Sequence, residues 1–320
     1  MSLVSAKNAI RNPGASLSKH GERTRRVYKS FCDSLLHFKR KRLRRLLREL
    51  PALNNEARVS RDVGYCVLPP MFCESINPVL LRAQEIIQHG KTAGGKKAGK
   101  ARLTHLLQKS DLAVYPEFLN FALAPKILAA AADYLGELPL LTAAFLWHSQ
   151  PIVGTFSNSQ LFHLDHDDIR QFKVFVYLSD VDDQSGPLTV LPAKLSNSIR
   201  DRLAYTRLPG KGKVPDDIMK PLIPEGGRKA LTGPKGTIAF VDTSQVFHYG
   251  SRVASKDRYV LMLQYVTLTN FIVNPFYTFT PYPYVEFAKD THSQLQQAVL
   301  GKNLIHTFHS GSSKSLDYSD

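Results

Sequence analysis

The stretch QLFHLDHDDIRQFKVFVYLSD holds two His-x-Asp pairs, His163 with Asp165 and His166 with Asp168. Alone, such a pair carries little information: 11 His and 18 Asp in 320 residues give about 0.6 of them by chance. Either pair can also be read as a polar turn. A distant segment raises the signal. GPKGTIAFVDTSQVFHYGSRVASKDRYVLMLQY has a glycine turn, a β-run, then His248, and ten residues later Arg258 opens another β-run. Two histidines and one carboxylate on β-strands can occupy one face of an iron octahedron and leave the opposite face open. An arginine entering the same barrel can clamp a carboxylate through two parallel hydrogen bonds.

Those residues need a rigid β frame, and the second half of the chain reads as one. Segments 140–148, 150–156, 172–180, 187–192, 236–242 and 258–268 are short, rich in Val, Phe, Tyr, Thr and Leu, and bounded by Gly, Pro, Asp or Asn. That texture is an all-β sandwich or barrel. The segment 194–235 between two of them reads as a long basic loop rich in Gly and Pro. Before the β region, 62–69 reads as a strand, 75–89 as a helix capped by Ser75 with Pro78 in its first turn, and 116–136 as helical. Residues 1–18 look like a polar arm. The Gly/Lys stretch 90–100 reads as a linker whose glycines do not match a phosphate loop. No internal repeat is apparent.

These pieces, in this order, resemble the phytanoyl-CoA dioxygenase-like family of iron(II)/2-oxoglutarate-dependent oxygenases. The resemblance covers roughly residues 60–270. It rests on DVGYCVLPPMF, FHLD, VFVYLSDVDDQSGPLTVLP, GPKGTIAFVDTS, and FHYGSRV followed by Arg258. It implies a double-stranded β-helix, a cupin-like jelly-roll, so the expected fold is mainly β with flanking helices and an N-terminal helical extension. It implies that His163, Asp165 and His248 hold Fe(2+), that Arg258 binds the far carboxylate of 2-oxoglutarate, and that O2 is the second cosubstrate. His163 and Asp165 are preferred over His166 and Asp168 because the strand-like run Ser159 to Phe162 leads directly into His163. His166 and Asp168 then fall on a loop near the cavity mouth. Many relatives carry Ser or Thr two residues after the distal histidine, where this chain has Gly250, followed by Ser251. Gln160, Lys173, Phe175 and Tyr177 are candidates for the missing contact, and ordinary sandwich positions are the competing reading. The related halogenases lack the carboxylate, so Asp165 points to hydroxylation of a C–H bond, or a related oxidation, with release of succinate and CO2.

Composition bounds the rest. The chain is 43% hydrophobic and 22% charged, with a net charge of +15. Residues 1–110 carry 23 Lys and Arg against 7 Asp and Glu, and residues 111–320 carry 19 against 20. The charge therefore belongs to the N-terminal third, not to the β region. Residues 22–50 read as one helix in which Phe31, Leu35, Leu36, Leu43, Leu46, Leu47 and Leu50 form an apolar side, closed by Pro51. Its basic side is open to three readings: a solvated face, an anionic membrane surface, or nucleic acid, the last unsupported by any accompanying motif. Expected domains are a basic extension 1–58, an oxygenase domain 59–285 and a C-terminal extension 286–320. Arg200, Arg202, Arg207, Lys211, Lys213, Arg228 and Lys229 suggest a basic rim suited to an anionic small-molecule substrate, of a lipid- or glycan-type biosynthetic kind, with solvated loops that touch no substrate as the competing reading. Three cysteines, Cys32, Cys66 and Cys73, make no disulfide framework. The expected setting is cytoplasmic, peripheral to a membrane if the basic helix binds lipid. A scaffold protein with a metal-binding but non-catalytic barrel is the alternative, and a cupin without cosubstrate a third, against which Arg258 argues.

Overall fold

The computed structural model describes residues 13–93, 103–151, 156–208, 212–252, 254–273, 282–302 and 304. Nine strands form two antiparallel sheets among them. These are β1 (Tyr65–Leu68), β2 (Leu103–His105), β3 (Leu140–Ser149), β4 (Phe172–Tyr177), β5 (Thr189–Val190), β6 (Lys229–Ala230), β7 (Ile238–Val241), β8 (His248–Tyr249) and β9 (Arg258–Val266). The large sheet has the order β1-β7-β4-β9-β3-β2, and the small one β6-β5-β8. From β4 onward the chain crosses repeatedly between the sheets, which is the winding of a jelly-roll.

The period of two along β4 and β9 separates core from cavity. Phe172, Val174, Val176, Leu261, Leu263 and Tyr265 point outward into the main core. There they meet Phe118 and Phe121 of α5 (Pro116–Ala122) and Ile127, Leu128 and Ala131 of α6 (Pro125–Leu135). α6 starts with Pro125 in its first turn and stops at Gly136, whose φ of 75° is left-handed. The alternate residues pair across the register as Lys173 with Gln264, Phe175 with Met262, and Tyr177 with Val260, and line the inner face. The same rule puts Ser149 opposite Arg258 and Trp147 opposite Val260.

Four expectations are corrected. Residues 158–160 form a 3-10 turn, and Phe162 and His163 make single bridges, so no continuous strand runs from Ser159 into His163. Residues 150, 151 and 156 lie in no strand, and 152–155 fall outside the described residues. The segment 194–235 is not one open loop. It contains most of α7 (Ala193–Arg202), then α8 (Asp216–Met219) and β6. Arg200 and Arg207 are buried, so they supply no basic rim, whereas Arg202, Lys213, Arg228 and Lys229 are exposed. Lys211, most of the 90–100 stretch and the tail 305–320 lie outside the described residues.

The N-terminal region breaks into α1 (Pro13–Leu17), α2 (Glu22–Leu35) and α3 (His37–Arg44), with a 3-10 turn at Arg45–Glu49. Leu36, Leu43, Leu46, Leu47 and Leu50 pack on the main core as their spacing predicts. α2 is turned the other way: Arg25 is fully buried, whereas Phe31 is 60% and Leu35 57% exposed. The buried side is held by polar contacts. Arg25 donates to the Asp168 carbonyl at 2.7 Å and stacks over Phe271, and Lys29 pairs with Asp168 at 3.0 Å, although Arg25 Nε has no partner. Polar groups paired in this way can displace apolar ones from an interface. α4 (Ile76–Ala93) and α9 (Gln294–Val299) complete the coat of the large sheet, α9 through Leu295 and Val299. Among the described residues no single helix is long and apolar enough to cross a membrane. The bent pair α5–α6 that matches by length and composition is largely buried in the core.

Candidate metal centre

His163 and His248 face each other across a two-residue bridge. Each donates its backbone N–H to the other's carbonyl at 3.1 Å, and the rings lie 4.2 Å apart on one side. Asp165 sits two residues after His163, so the zigzag returns its side chain to that side. Its backbone is tied at both ends, donating to the Thr243 carbonyl at 2.9 Å and accepting from Arg207 Nε at 2.8 Å. Asp165 Oδ1 lies 3.7 Å from His163 Nε2, and Oδ2 lies 3.9 Å from His248 Nε2. One ligand atom from each residue falls within 4.8 Å of the others.

The donor set fits a metal ion. His163 Nδ1 is 2.8 Å from the Leu161 carbonyl and His248 Nδ1 is 3.1 Å from the Val246 carbonyl. A carbonyl only accepts, so each Nδ1 carries the proton and each Nε2 keeps its lone pair toward the shared point. Burial pushes His248 down to about 4. It also holds His163 well below its ordinary value, aided by the nearby His248 and Lys213 charges. Both rings are neutral at pH 7, the form that binds metals. Burial would raise the Asp165 carboxyl, but the Lys173 ammonium at 2.7 Å, with the two histidines, outweighs it and keeps the group well below the carboxylate range. Two imidazoles and one carboxylate on a common face are the donor set of non-haem Fe(II) sites.

His166 and Asp168 do not join them. Asp168 is fully buried on the other side of the loop, where it accepts from the Thr267 amide at 2.8 Å and pairs with Lys29. His166 is half-exposed.

Arg258 forms the second centre. Its Nη2 donates to Ser251 Oγ at 2.6 Å and lies 3.4 Å from Ser149 Oγ. Its Nε is buried without a partner, and no carboxylate pairs with it among the described residues. Desolvation pushes its pKa down to about 10, although the residue keeps some accessible surface. A Cβ built on Gly250 would stand 3.7 Å from Arg258 Nη2, an ordinary contact distance, which places this position beside the guanidinium. Ser251, held at a left-handed φ of 54°, supplies the hydroxyl one position later than the resemblance places it.

The other expected residues divide by what they touch. Lys173 pairs with Asp165, at the metal end. Tyr177 is close enough to Arg258 to influence it, and its hydroxyl donates to the Leu231 carbonyl at 2.6 Å. Phe175 stands between the two and packs against the inner apolar cluster of Val190, Ala239 and Val241. Gln160 is a brace: its Oε1 accepts from the Ser157 amide at 3.1 Å and its Nε2 donates to the Ser251 carbonyl at 2.8 Å. Residues that sequence reasoning missed stand behind these. Gln171 Nε2 donates to Asp165 Oδ2 at 3.1 Å and hydrogen-bonds Thr243 Oγ1. Arg207 supports the Asp165 and Ser244 carbonyls, and its charge faces Glu22 at 3.6 Å. Glu22 also meets Arg25 at 3.3 Å and Arg200 at 3.9 Å, so one carboxylate of α2 serves a buried arginine cluster beside the metal loop. No local motif encodes these contacts, which join residues far apart in sequence.

No family model matches the chain, so the phytanoyl-CoA dioxygenase-like branch stands as a resemblance. A curated relative, the L-proline trans-4-hydroxylase of Streptomyces griseoviridis, is 28% identical over 117 residues, which is 32% of this chain and 42% of that protein. The chain thus aligns with less than half the length of that relative. Similar solved structures include iron-bound EctD from S. alaskensis, at 18% identity and TM-score 0.49 over 69% of this chain and 81% of that one. Another is the non-haem α-ketoglutarate-dependent carbocyclase SnoK from nogalamycin biosynthesis, at 17% identity and TM-score 0.47 over 68% and 85%.

Proposed function

We propose that the chain is an iron(II)/2-oxoglutarate-dependent dioxygenase that hydroxylates a C–H bond of a small molecule. The observation that carries this reading is the pairing of two sites in one jelly-roll. One is a His163–Asp165–His248 donor face with both imidazoles neutral. The other is a recessed Arg258 without a carboxylate partner. The proline hydroxylase relative agrees with this chemistry in its own name.

When bound, iron(II) supplies the coordination site at which 2-oxoglutarate and O2 react to deliver the oxidising equivalent, with succinate and CO2 as coproducts. The protein's part is positional. The two Nδ1–H donations lock both rings with Nε2 toward the metal. Lys173 and Gln171 hold Asp165 Oδ2, leaving Oδ1 unoccupied beside His163 Nε2. Arg258, presented by Ser251, receives the far carboxylate of the cosubstrate. His105, Phe145 and Trp147 build an aromatic wall further along the inner face of the large sheet, with the His105 and Trp147 rings 3.7 Å apart. We assign that wall to the substrate's carbon skeleton. Lys213 brings positive charge to bear on both histidines and is exposed, which favours an anionic or zwitterionic substrate over a cationic one.

The test is iron-dependent release of succinate from 2-oxoglutarate across a substrate library. Wild type is expected to turn over and to bind one divalent ion, and His163→Ala and Asp165→Ala to lose both properties. Purified protein that binds neither Fe(2+) nor 2-oxoglutarate refutes the assignment.

A further inference from the structure

The outer side of α2 and α3 carries an apolar ridge flanked by unpaired cations. Val27, Phe31 and Leu35 recur every four residues, hence on one stripe, and are 65%, 60% and 57% exposed. Phe38 extends the ridge onto α3 and is 84% exposed. Beside it an open groove of about 500 Å³ is lined by Leu17, Arg23, Thr24, Val27, Tyr28 and Phe31. The ridge is not a core face left without a core. α2 is already anchored through its opposite side, where Glu22, Arg25 and Lys29 are paired and Cys32 is fully buried.

α3 carries charge beside Phe38. Phe38, Lys41 and Arg42 are spaced i, i+3 and i+4, one face of α3, Arg45 follows in the 3-10 turn, and all are exposed. Residues 22–50 hold eleven Lys and Arg against three Asp and Glu. Arg25, Lys29 and Arg40 are consumed by internal ion pairs. Arg23, Lys41, Arg42, Arg44, Arg45 and Arg48 are exposed and have no carboxylate partner among the described residues.

These two properties together select the occupant. A second copy of the chain seated on the ridge would bring like charges face to face. An anionic bilayer accepts phenyl rings at the level of its acyl boundary and guanidinium groups at its phosphates. We propose that the ridge Val27–Phe31–Leu35–Phe38, with its flanking arginines and lysines, docks this protein on an anionic membrane surface. The inference stands apart from the catalytic reading, because none of these side chains contributes to the metal or Arg258 sites.

The experiment is cosedimentation of the full chain with phosphatidylcholine vesicles, with and without phosphatidylglycerol, across a salt series. Binding is expected only to the anionic vesicles and to weaken as salt rises. Arg42→Gln is expected to lower the partition coefficient about fivefold, and Phe31→Ser and Phe38→Ser about tenfold each. Both phenylalanines are exposed, so these variants keep the wild-type melting curve. A Phe38→Trp variant is expected to show a blue-shifted emission with anionic vesicles alone. Absence of binding to anionic vesicles overturns the proposal, as does binding indifferent to Phe31→Ser and Phe38→Ser. Concentration-dependent dimers that Phe38→Ser abolishes, without vesicle binding, overturn it in favour of self-association.

Discussion

Replacing Arg258 by methionine separates a binding role from a structural one, because the two predict opposite results. Among the described residues only Nη2 has partners, Ser251 at 2.6 Å and Ser149 at 3.4 Å, and Nη1 has none, so the Nη1–Nη2 edge of the guanidinium is the one that can receive a carboxylate. Two charge-assisted hydrogen bonds of about 1.5–3 kcal/mol each, less what water returns to the freed carboxylate, come to about 3 kcal/mol. That is about two orders of magnitude in the Kd for 2-oxoglutarate. The fold gains nothing comparable from this arginine. Its pKa has been pushed to about 10 by burial, a cost on the order of 2 kcal/mol after discounting for its partial exposure. The two serine hydrogen bonds return about 1 kcal/mol each. Arg258→Met is therefore expected to weaken 2-oxoglutarate about 100-fold in a calorimetric titration of the metal-loaded protein and to leave Tm unchanged or slightly raised. A Kd within threefold of wild type, or a Tm several degrees lower, refutes the reasoning.

Ser251→Gly removes the hydroxyl that presents Arg258 and relieves a non-glycine φ of 54°. It should raise the 2-oxoglutarate Kd about tenfold while costing the fold less than about 0.5 kcal/mol, and equal losses in both measurements would count against it. Glu22→Gln leaves Arg25, Arg200 and Arg207 without their common carboxylate. A cost of about 3 kcal/mol is expected, read as a fall in Tm of roughly 6–9 °C, and an unchanged Tm would show the cluster to be idle. Asp242 is pushed up to about 6, chiefly by burial, against hydrogen bonds from Ser244 and Tyr134. Because the folded state holds this proton more tightly than the unfolded chain, its contribution is full below about pH 4 and is lost as pH rises through about 6. The Tm of wild type relative to Asp242→Asn should thus rise as pH falls from 7 to 5, and parallel curves would exclude the shift.

The jelly-roll was legible because its long strands advertise themselves. β4, β7 and β9 are rich in β-branched and aromatic residues whose alternation survives in the register, and β3 is a ten-residue, mostly apolar run bounded by Pro139 and Gln150. β5 was found within a longer segment, whereas β2, β6 and β8 have two or three residues each, too few to show a period. The metal candidates were legible because a His-x-Asp pair and a distant histidine with an arginine ten residues on are types and spacings that sequence preserves. Their supports were not. Gln171, Arg207 and Glu22 act through hydrogen bonds and ion pairs to residues 6, 42 and about 185 positions away. The sidedness of α2 failed for a related reason. Hydropathy assigns the apolar stripe inward, but Asp168 and the backbone carbonyls near it reward the opposite face.

The anchorage of α2 also bears on the order in which this chain is made. Arg25 meets a carbonyl 143 residues further on, and Lys29 a threonine 240 residues further on. During synthesis the helix emerges well before its partners: Asp168 comes about 140 residues later, and the set is complete only when Thr267 and Thr269, just after β9, have left the ribosome. Contacts of such sequence separation close late. The loop bearing Asp165 and Asp168 is thus braced by a segment made long before it, through contacts that form late.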